Sequence, residues 1–348
     1  MKYPIKFKAA ILEKINRPLK LKNIIYEGPL QDGQVLVKLK YSGICGKQIE
    51  EIDGLGGKDP FLPHLLGHEG SGEVIDKAKN VKKIKIGDFV VLHWRKGSGN
   101  QSLTPRYYNK KKIINAGWVT TFNEYAVVSE NRVTRIEKKA NFKTSALYGC
   151  AITTGCGVIF NQTKLNELTN IAIIGCGGIG LFAVQSAKLF NPKNLIAIDI
   201  NDNNLKLAKK MGANVTINSK KQNLPVRIKH LLKSKNLDYV ISCTGNKNAI
   251  IDGLNILSTP GKLIQVGVPK KNLKLEVNFW DIMHCKDIIG SLGGNSYPDK
   301  DIPFFRTLEK KRKLKINPLI SKIFDFKDIN RAITFFKKNN SGRVLIKF

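Results

Sequence analysis

The sequence predicts an α/β protein with two parts, an antiparallel β section and a doubly wound parallel sheet. Three observations predict it. Strand-like runs broken by glycine turns fill the first third. After Cys150, short apolar runs alternate with helical periods. A final strand-like run occupies residues 343–348.

Residues 34–41 alternate in part between apolar and polar, as a half-buried strand does. Glycines 43, 46, 54, 56 and 57 punctuate the chain after that strand, and residues 74–75 and 88–92 read as further strands. Beyond Cys150, residues 171–174 form a short buried strand and 178–190 a helix. Strands at 195–199, 215–217, 238–242 and 262–266 continue the alternation, with a helix over 205–211. Such alternation requires parallel strands joined by helical crossovers. The last 59 residues carry helical segments before the closing strand.

The 348 residues suit about two domains. With 42% hydrophobic and 25% charged residues, the composition excludes collagenous, mucin-like and largely disordered chains. The uncharged stretch from Leu168 to Ala187 holds Asn170 and four glycines, a poor membrane span. The basic N-terminus lacks an apolar run, so no signal peptide is expected and a cytoplasmic location is. The six cysteines do not cluster as in a small secreted framework and read as free thiols or metal ligands.

The net charge of +32 raises nucleic acid as a partner. Its distribution argues against this. Residues 1–151 carry 27 basic and 14 acidic groups, 152–289 carry 18 and 8, and 290–348 carry 14 and 5. The excess is uniform, and 49 of the 59 basic residues are Lys, which reads as a general compositional bias. No nucleic-acid or membrane partner is expected, and an anionic substrate or cofactor remains compatible.

Gly175, Gly177, Gly178 and Gly180 lie in the run Ile174-Gly175-Cys176-Gly177-Gly178-Ile179-Gly180, a GxGxxG pattern between strand and helix. Asp199 ends the next strand, nineteen residues after Gly180. This context marks a Rossmann dinucleotide site. Gly175 permits the tight turn, Gly177 lets the backbone approach a pyrophosphate, and Gly180 lets helix and strand pack closely. The helix N-terminus offers free N–H groups to the phosphates. Asp199 accepts from ribose hydroxyls and repels a 2′-phosphate, which favours NAD over NADP.

Gly67-His68-Glu69-Gly70-Ser71-Gly72, with Cys45 upstream and Cys150 downstream, resembles the zinc-dependent medium-chain alcohol dehydrogenases. Ala78, Val81, Gly87-Asp88, Thr154-Gly155, Val266-Gly267-Val268-Pro269 and Gly293-Gly294 extend the resemblance over nearly the whole chain. It implies a GroES-like catalytic domain over 1–151 continued by 292–348, with an NAD-binding Rossmann domain over 152–291 inserted. It also implies Cys45, His68 and Cys150 as ligands of one catalytic zinc. Two thiolates and an imidazole leave a fourth tetrahedral position for water or substrate. Glu69 matches a carboxylate beside the metal, acting through the ligands or as a transient ligand. Thr154, Val266 and Val268 are implied at the nicotinamide and Arg343 at the pyrophosphate. A homodimer or homotetramer is expected.

Three departures from the family matter. The segment 93–117 lacks the four cysteines of a second, structural zinc, so none is expected. Lys47 stands where the family usually has a Ser or Thr that starts a proton relay, Gln48 where it has an Asp that orients the metal-bound His, and Glu50 where it has the distal relay His. Lys47 fits two roles: moving the proton or fixing the substrate oxygen, or holding a phosphate or carboxylate of cofactor or substrate. Finally, His93, Trp94, Arg95 and Lys96 replace an apolar substrate wall. A polyol, sugar or sugar derivative suits them, with Trp94 stacking on a sugar face; alternatively Arg95 and Lys96 simply face water. Two other classes stay open: a zinc-independent NAD(P)H reductase on the same fold, and a basic nucleic-acid-binding protein.

Overall fold

The computed structural model describes residues 2–233, 236–339 and 341–348. Contacts divide the chain into two compact units, Met1–Cys150 with Tyr297–Phe304 and Ile320–Phe348, and Ala151–Ser296 with Phe305–Leu319. Among the described residues, no helix is long and apolar enough to cross a membrane.

The first unit is built on β1 (Ile5–Leu12), β2 (Lys20–Tyr26), β3 (Gln34–Ile44), β4 (His64–Leu65), β5 (Glu69–Lys77), β6 (Phe89–His93), β7 (Tyr107–Asn109), β8 (Lys112–Ile114), β9 (Tyr125–Ser129) and β10 (Val133–Ile136). Helices α1 (Gly46–Ile52) and α2 (Phe142–Ser145) are short. One sheet runs β4-β1-β2-β7-β8. In the other, β3 pairs antiparallel with β5 and β9, and β5 with β6 and then β10. Val35, Val37 and Leu39 of β3 alternate into a core with Val74, Val90 and Val128. Leu36, on the opposite face of the same strand, packs into a second core with Phe7 and Tyr107, so this part of β3 is buried on both faces.

The second unit opens with α3 (Ala151–Gln162). It continues through β11 (Asn170–Ile174), α4 (Gly178–Lys188), β12 (Asn194–Asp199), α5 (Asp202–Met211), β13 (Val215–Asn218) and α6 (Leu224–Leu232). Then come β14 (Tyr239–Ser242), α7 (Lys247–Ile256), β15 (Gly261–Gln265), α8 (Phe279–Met283) and β16 (Lys286–Gly290). The six strands are parallel in the order β13-β12-β11-β14-β15-β16. The order reverses beside β11, so the Gly-rich turn lies at the switch point where such sheets bind ligands. Asn201, Asn223, Asn246 and Asn278 each cap a helix by accepting a backbone N–H. Each such cap stabilises its helix by about 1 kcal/mol.

The chain ends with α9 (Pro298–Lys310), β17 (Ile320–Asp325), α10 (Ile329–Asn339) and β18 (Arg343–Lys347). Strand β18 pairs antiparallel with β3 in the first unit, which brings the chain's end back to its beginning. The fold is a parallel Rossmann sheet inserted in a GroES-like antiparallel β domain. The grouping by contacts differs from a simple return at residue 292 over 292–296 and 305–319, which pack with the second unit. Ser296 Oγ donates to Thr153 O at 2.6 Å, the rings of Phe305 and Phe160 lie 5.6 Å apart, and Lys315 N–H donates to Gln185 Oε1 at 2.7 Å.

Candidate zinc and cofactor sites

Three residues far apart in sequence meet in the first unit. Cys45 closes β3 and caps α1, His68 precedes β5, and Cys150 follows α2. One ligand atom from each lies within 4.8 Å of the others. Both cysteines are buried and His68 is half-buried. The Cys45 thiol is held well below its ordinary pKa, first by its hydrogen bond with Cys150 and then by His68 and Arg343, against the opposing effect of burial. A lowered pKa favours the thiolate, which is the form that binds zinc. Two soft sulfurs and one imidazole nitrogen fit a catalytic zinc, which keeps one position open.

The residues behind this group are buried and paired. Glu69 and Arg343 form an ion pair, with side chains 0% and 3% exposed. Gly43 makes room for it: a Cβ there would sit 2.5 Å from Glu69 Oε1. Burial lowers the pKa of Arg343, and the neighbouring Cys45 opposes that. Gln48 ties two of the three candidate ligands together. Its Oε1 accepts from Cys45 N–H at 2.9 Å, and its Nε2 contacts His68 Nδ1. Lys47 pairs with Glu50 at 3.3 Å and keeps 42% of its side chain exposed. The two positions that depart from the family's relay are thus in direct contact.

His68 and Gln48 line a cavity of ≈ 580 Å³ that also includes Glu51, His64, Arg106 and Trp118. Burial raises the Glu51 pKa, while His68, Lys47 and His64 oppose it. The segment expected as a polar wall takes a different form. His93 is buried, bonded to Arg95 O at 2.7 Å and Thr134 Oγ1 at 3.0 Å, and burial lowers its pKa to about 4. Arg95 lies over the Trp94 ring at 5.7 Å, so that face is already stacked. Sequence reasoning missed Arg132, whose guanidinium donates to Trp94 O and lies 5.8 Å from the Trp118 ring centroid. Its signal was weak, because pairing of β10 with β6 is what brings it to Trp94.

The dinucleotide residues gather in the second unit. Gly175 has φ +87°, a left-handed conformation that glycine adopts without strain. Gly177 caps α4, and a Cβ on it would meet nothing within 4 Å, so its backbone is open to a phosphate. Gly178 and Gly180 form the first turn of α4, and a Cβ on Gly180 would strike Gly175 O. Asp199 ends β12; Oδ2 accepts from Cys176 N–H at 2.7 Å and Oδ1 from Asn201 N–H at 2.8 Å. The Thr154 hydroxyl is buried without a hydrogen-bond partner. Val266 is buried and Val268 is exposed just beyond β15. An open glycine cradle at a helix N-terminus fits a dinucleotide, and the orphaned Thr154 hydroxyl lies on α3 next to Gly155, which packs closely on Ile179 O of α4.

Similarity to known proteins extends over both units. The alcohol dehydrogenase GroES-like domain family matches residues 31–138, and the zinc-binding dehydrogenase family matches 178–307. S-(hydroxymethyl)glutathione dehydrogenase of Synechocystis sp. is 28% identical over 99% of this chain and 100% of its own. Alcohol dehydrogenase 1 of Cenchrus americanus is 26% identical over 99% and 97%. The crystal structure of benzyl alcohol dehydrogenase from Acinetobacter calcoaceticus matches with a TM-score of 0.89 at 26% identity, over 99% of both chains. Fold and site together define a zinc-type oxidoreductase. The chain belongs to the zinc-dependent medium-chain dehydrogenase/reductase family, the family of the alcohol dehydrogenases.

Proposed function

We propose that this protein transfers hydride between NAD(H) and a hydroxyl or carbonyl of a polar small molecule, a polyol, sugar or sugar derivative, with one catalytic zinc per chain. The convergence of Cys45, His68 and Cys150 is the observation that carries the reading. When bound, zinc supplies a Lewis acid for the substrate oxygen, and NAD supplies the hydride acceptor. Cys45, His68 and Cys150 would hold the metal. Gln48 orients His68, and Glu69, fixed by Arg343, sets the charge behind the ligands. Lys47, paired with Glu50, moves the proton at the substrate oxygen or fixes that oxygen.

On the cofactor side, Gly175, Gly177, Gly178 and Gly180 cradle the pyrophosphate, and Asp199 selects ribose hydroxyls over a 2′-phosphate. Thr154, Val266 and Val268 belong to the nicotinamide pocket. Arg343 enters this reading as the pyrophosphate contact that the family resemblance implies; in the structure its guanidinium is buried against Glu69. Polar groups on the cavity beside His68, among them Glu51, His64 and Arg106, support a hydroxylated substrate over a simple alkyl alcohol. Oligomerisation belongs to the same reading. Strand β16 is an edge of its sheet, and Phe279 and Trp280 before it are 78% and 64% exposed, as an interface requires.

The test compares polyols and sugars with simple primary alcohols, using NAD and NADP in turn. The reading expects higher kcat/KM for a hydroxylated substrate and for NAD. A preference for alkyl or benzyl alcohols contradicts the substrate class, and a preference for NADP contradicts the role of Asp199.

A further inference from the structure

Glu51 lines the cavity beside His68 and has no polar partner of its own. It stands on α1 three residues after Gln48, so the two side chains share one face of that helix. Both line the same cavity of ≈ 580 Å³ as His68. Glu51 is half-buried. Among the described residues, its carboxylate takes part in no hydrogen bond and no ion pair. His68, Lys47 and His64 act on it through charge alone, and His68 and His64 line the cavity with it. A carboxylate partly withdrawn from water without a donor is costly to keep.

Its polar neighbours on the cavity wall are already engaged. Asp59 is held by His64 Nε2 at 2.8 Å and by Phe61 N–H at 2.9 Å, and His64 Nδ1 meets Leu65 O at 3.0 Å. Asn115 Nδ2 donates to Phe61 O at 2.8 Å. Gln48 is occupied by Cys45 and His68. Glu51 is thus the cavity carboxylate that still lacks donors. A fully solvated surface charge would explain an unpaired Glu, but burial is the largest influence on this one. Arg106 brings positive charge to the same cavity and Lys47 acts on Glu51 directly, so a cation is not what the carboxylate lacks. Neutral hydroxyl donors fit it, and a carboxylate has oxygens enough to accept from two of them.

We propose that Glu51 is a specificity-determining residue, whose carboxylate accepts hydrogen bonds from substrate hydroxyls other than the one that reacts. This rests on the reading that the cavity beside His68 receives the substrate. It assigns the preference for compounds with two or more hydroxyls to a single side chain. A mono-alcohol in the cavity leaves that carboxylate without a donor, which is the way a polar site rejects an analogue lacking a hydroxyl.

The test compares 1,2-butanediol with 1-butanol, which differ by one hydroxyl, on the zinc-loaded wild type, Glu51→Gln and Glu51→Leu. Saturation-transfer NMR titrations give the two Kd values without cofactor, and kcat/KM is measured with NAD in parallel. The wild type should bind the diol about tenfold or more tighter than the mono-alcohol, as for a hydrogen bond to a charged group. Glu51→Gln keeps a neutral acceptor and should reduce that ratio; Glu51→Leu should abolish it. Glu51→Gln is nearly isosteric and serves if Glu51→Leu fails to fold. A wild type without diol preference, or a preference that both variants keep, overturns the proposal. Loss of zinc from Glu51→Gln, measured on the same samples, overturns it too, because the residue would then act at the metal centre. The binding measurement needs no hydride transfer. Diol binding that depends on Glu51 in a protein that reduces no NAD would sink the hydride-transfer reading and leave this role standing. Turnover of both alcohols without diol preference would do the reverse.

Discussion

Arg343 on β18 and Glu69 on β5 form a buried ion pair immediately behind Cys45, across 274 positions of sequence. Removing one partner of such a pair leaves a charge with neither water nor counter-ion. Glu69→Gln should therefore cost about 3–5 kcal/mol in denaturant unfolding. The double substitution Glu69→Gln/Arg343→Met should cost less than the single one, because no charge stays stranded. Equal or greater loss in the double variant would show that the pair is not what Glu69 supplies.

Gln48 bonds to the Cys45 backbone and contacts the His68 ring, so it should matter to metal affinity more than to folding. Gln48→Ala is expected to weaken zinc binding about 10–100-fold, the range for partners that orient a ligand. Competition with a chromophoric chelator measures this. An unchanged zinc affinity would mean that His68 is held by packing alone.

His93 should make the fold acid-sensitive. Its folded pKa is lowered to about 4 from an ordinary 6.5 because burial penalises the imidazolium. Between those values the unfolded chain binds the proton and the folded one does not. Stability from the neutral ring is complete above pH 6.5 and is lost as pH falls toward 4. The span corresponds to at most about 3 kcal/mol. In thermal melts, the wild type should lose more Tm between about pH 7 and pH 4.5 than His93→Gln does. Parallel pH profiles would contradict a neutral buried His93.

Asp199 should govern cofactor choice. Asp199→Ser removes the charge that repels a 2′-phosphate while keeping a small hydrogen-bonding group beside Cys176 N–H. NADP binding should strengthen relative to NAD by about tenfold or more, read by titrating NADPH and NADH fluorescence. An unchanged ratio would place discrimination elsewhere.

Much of this was legible in the sequence because local physics and fold agree there. The Gly-rich turn, Asp199 and the apolar runs of β11 and β12 each announce themselves within a few residues. Cys45, His68 and Cys150 were legible only through the family resemblance, since neither periodicity nor spacing predicts that they meet. What was not legible depends on pairing between distant strands. Arg132 reaches Trp94 because β10 lies beside β6, and Arg343 reaches Glu69 because β18 joins β3. The polar segment 93–96 was visible, yet its buried His93 and the stack of Arg95 on Trp94 arise from tertiary context. Residues 305–319 also look locally like the surrounding C-terminal segment, and only packing on α3 and α4 assigns them to the second unit.

The metal centre is the central claim, and elemental analysis tests it most directly. Zinc is measured per chain on the protein as isolated and on Cys150→Ala, with folding checked in both. The account predicts about one zinc per chain in the wild type, lost in Cys150→Ala. Well-folded, active protein without zinc, or zinc retained in full by Cys150→Ala, would contradict it.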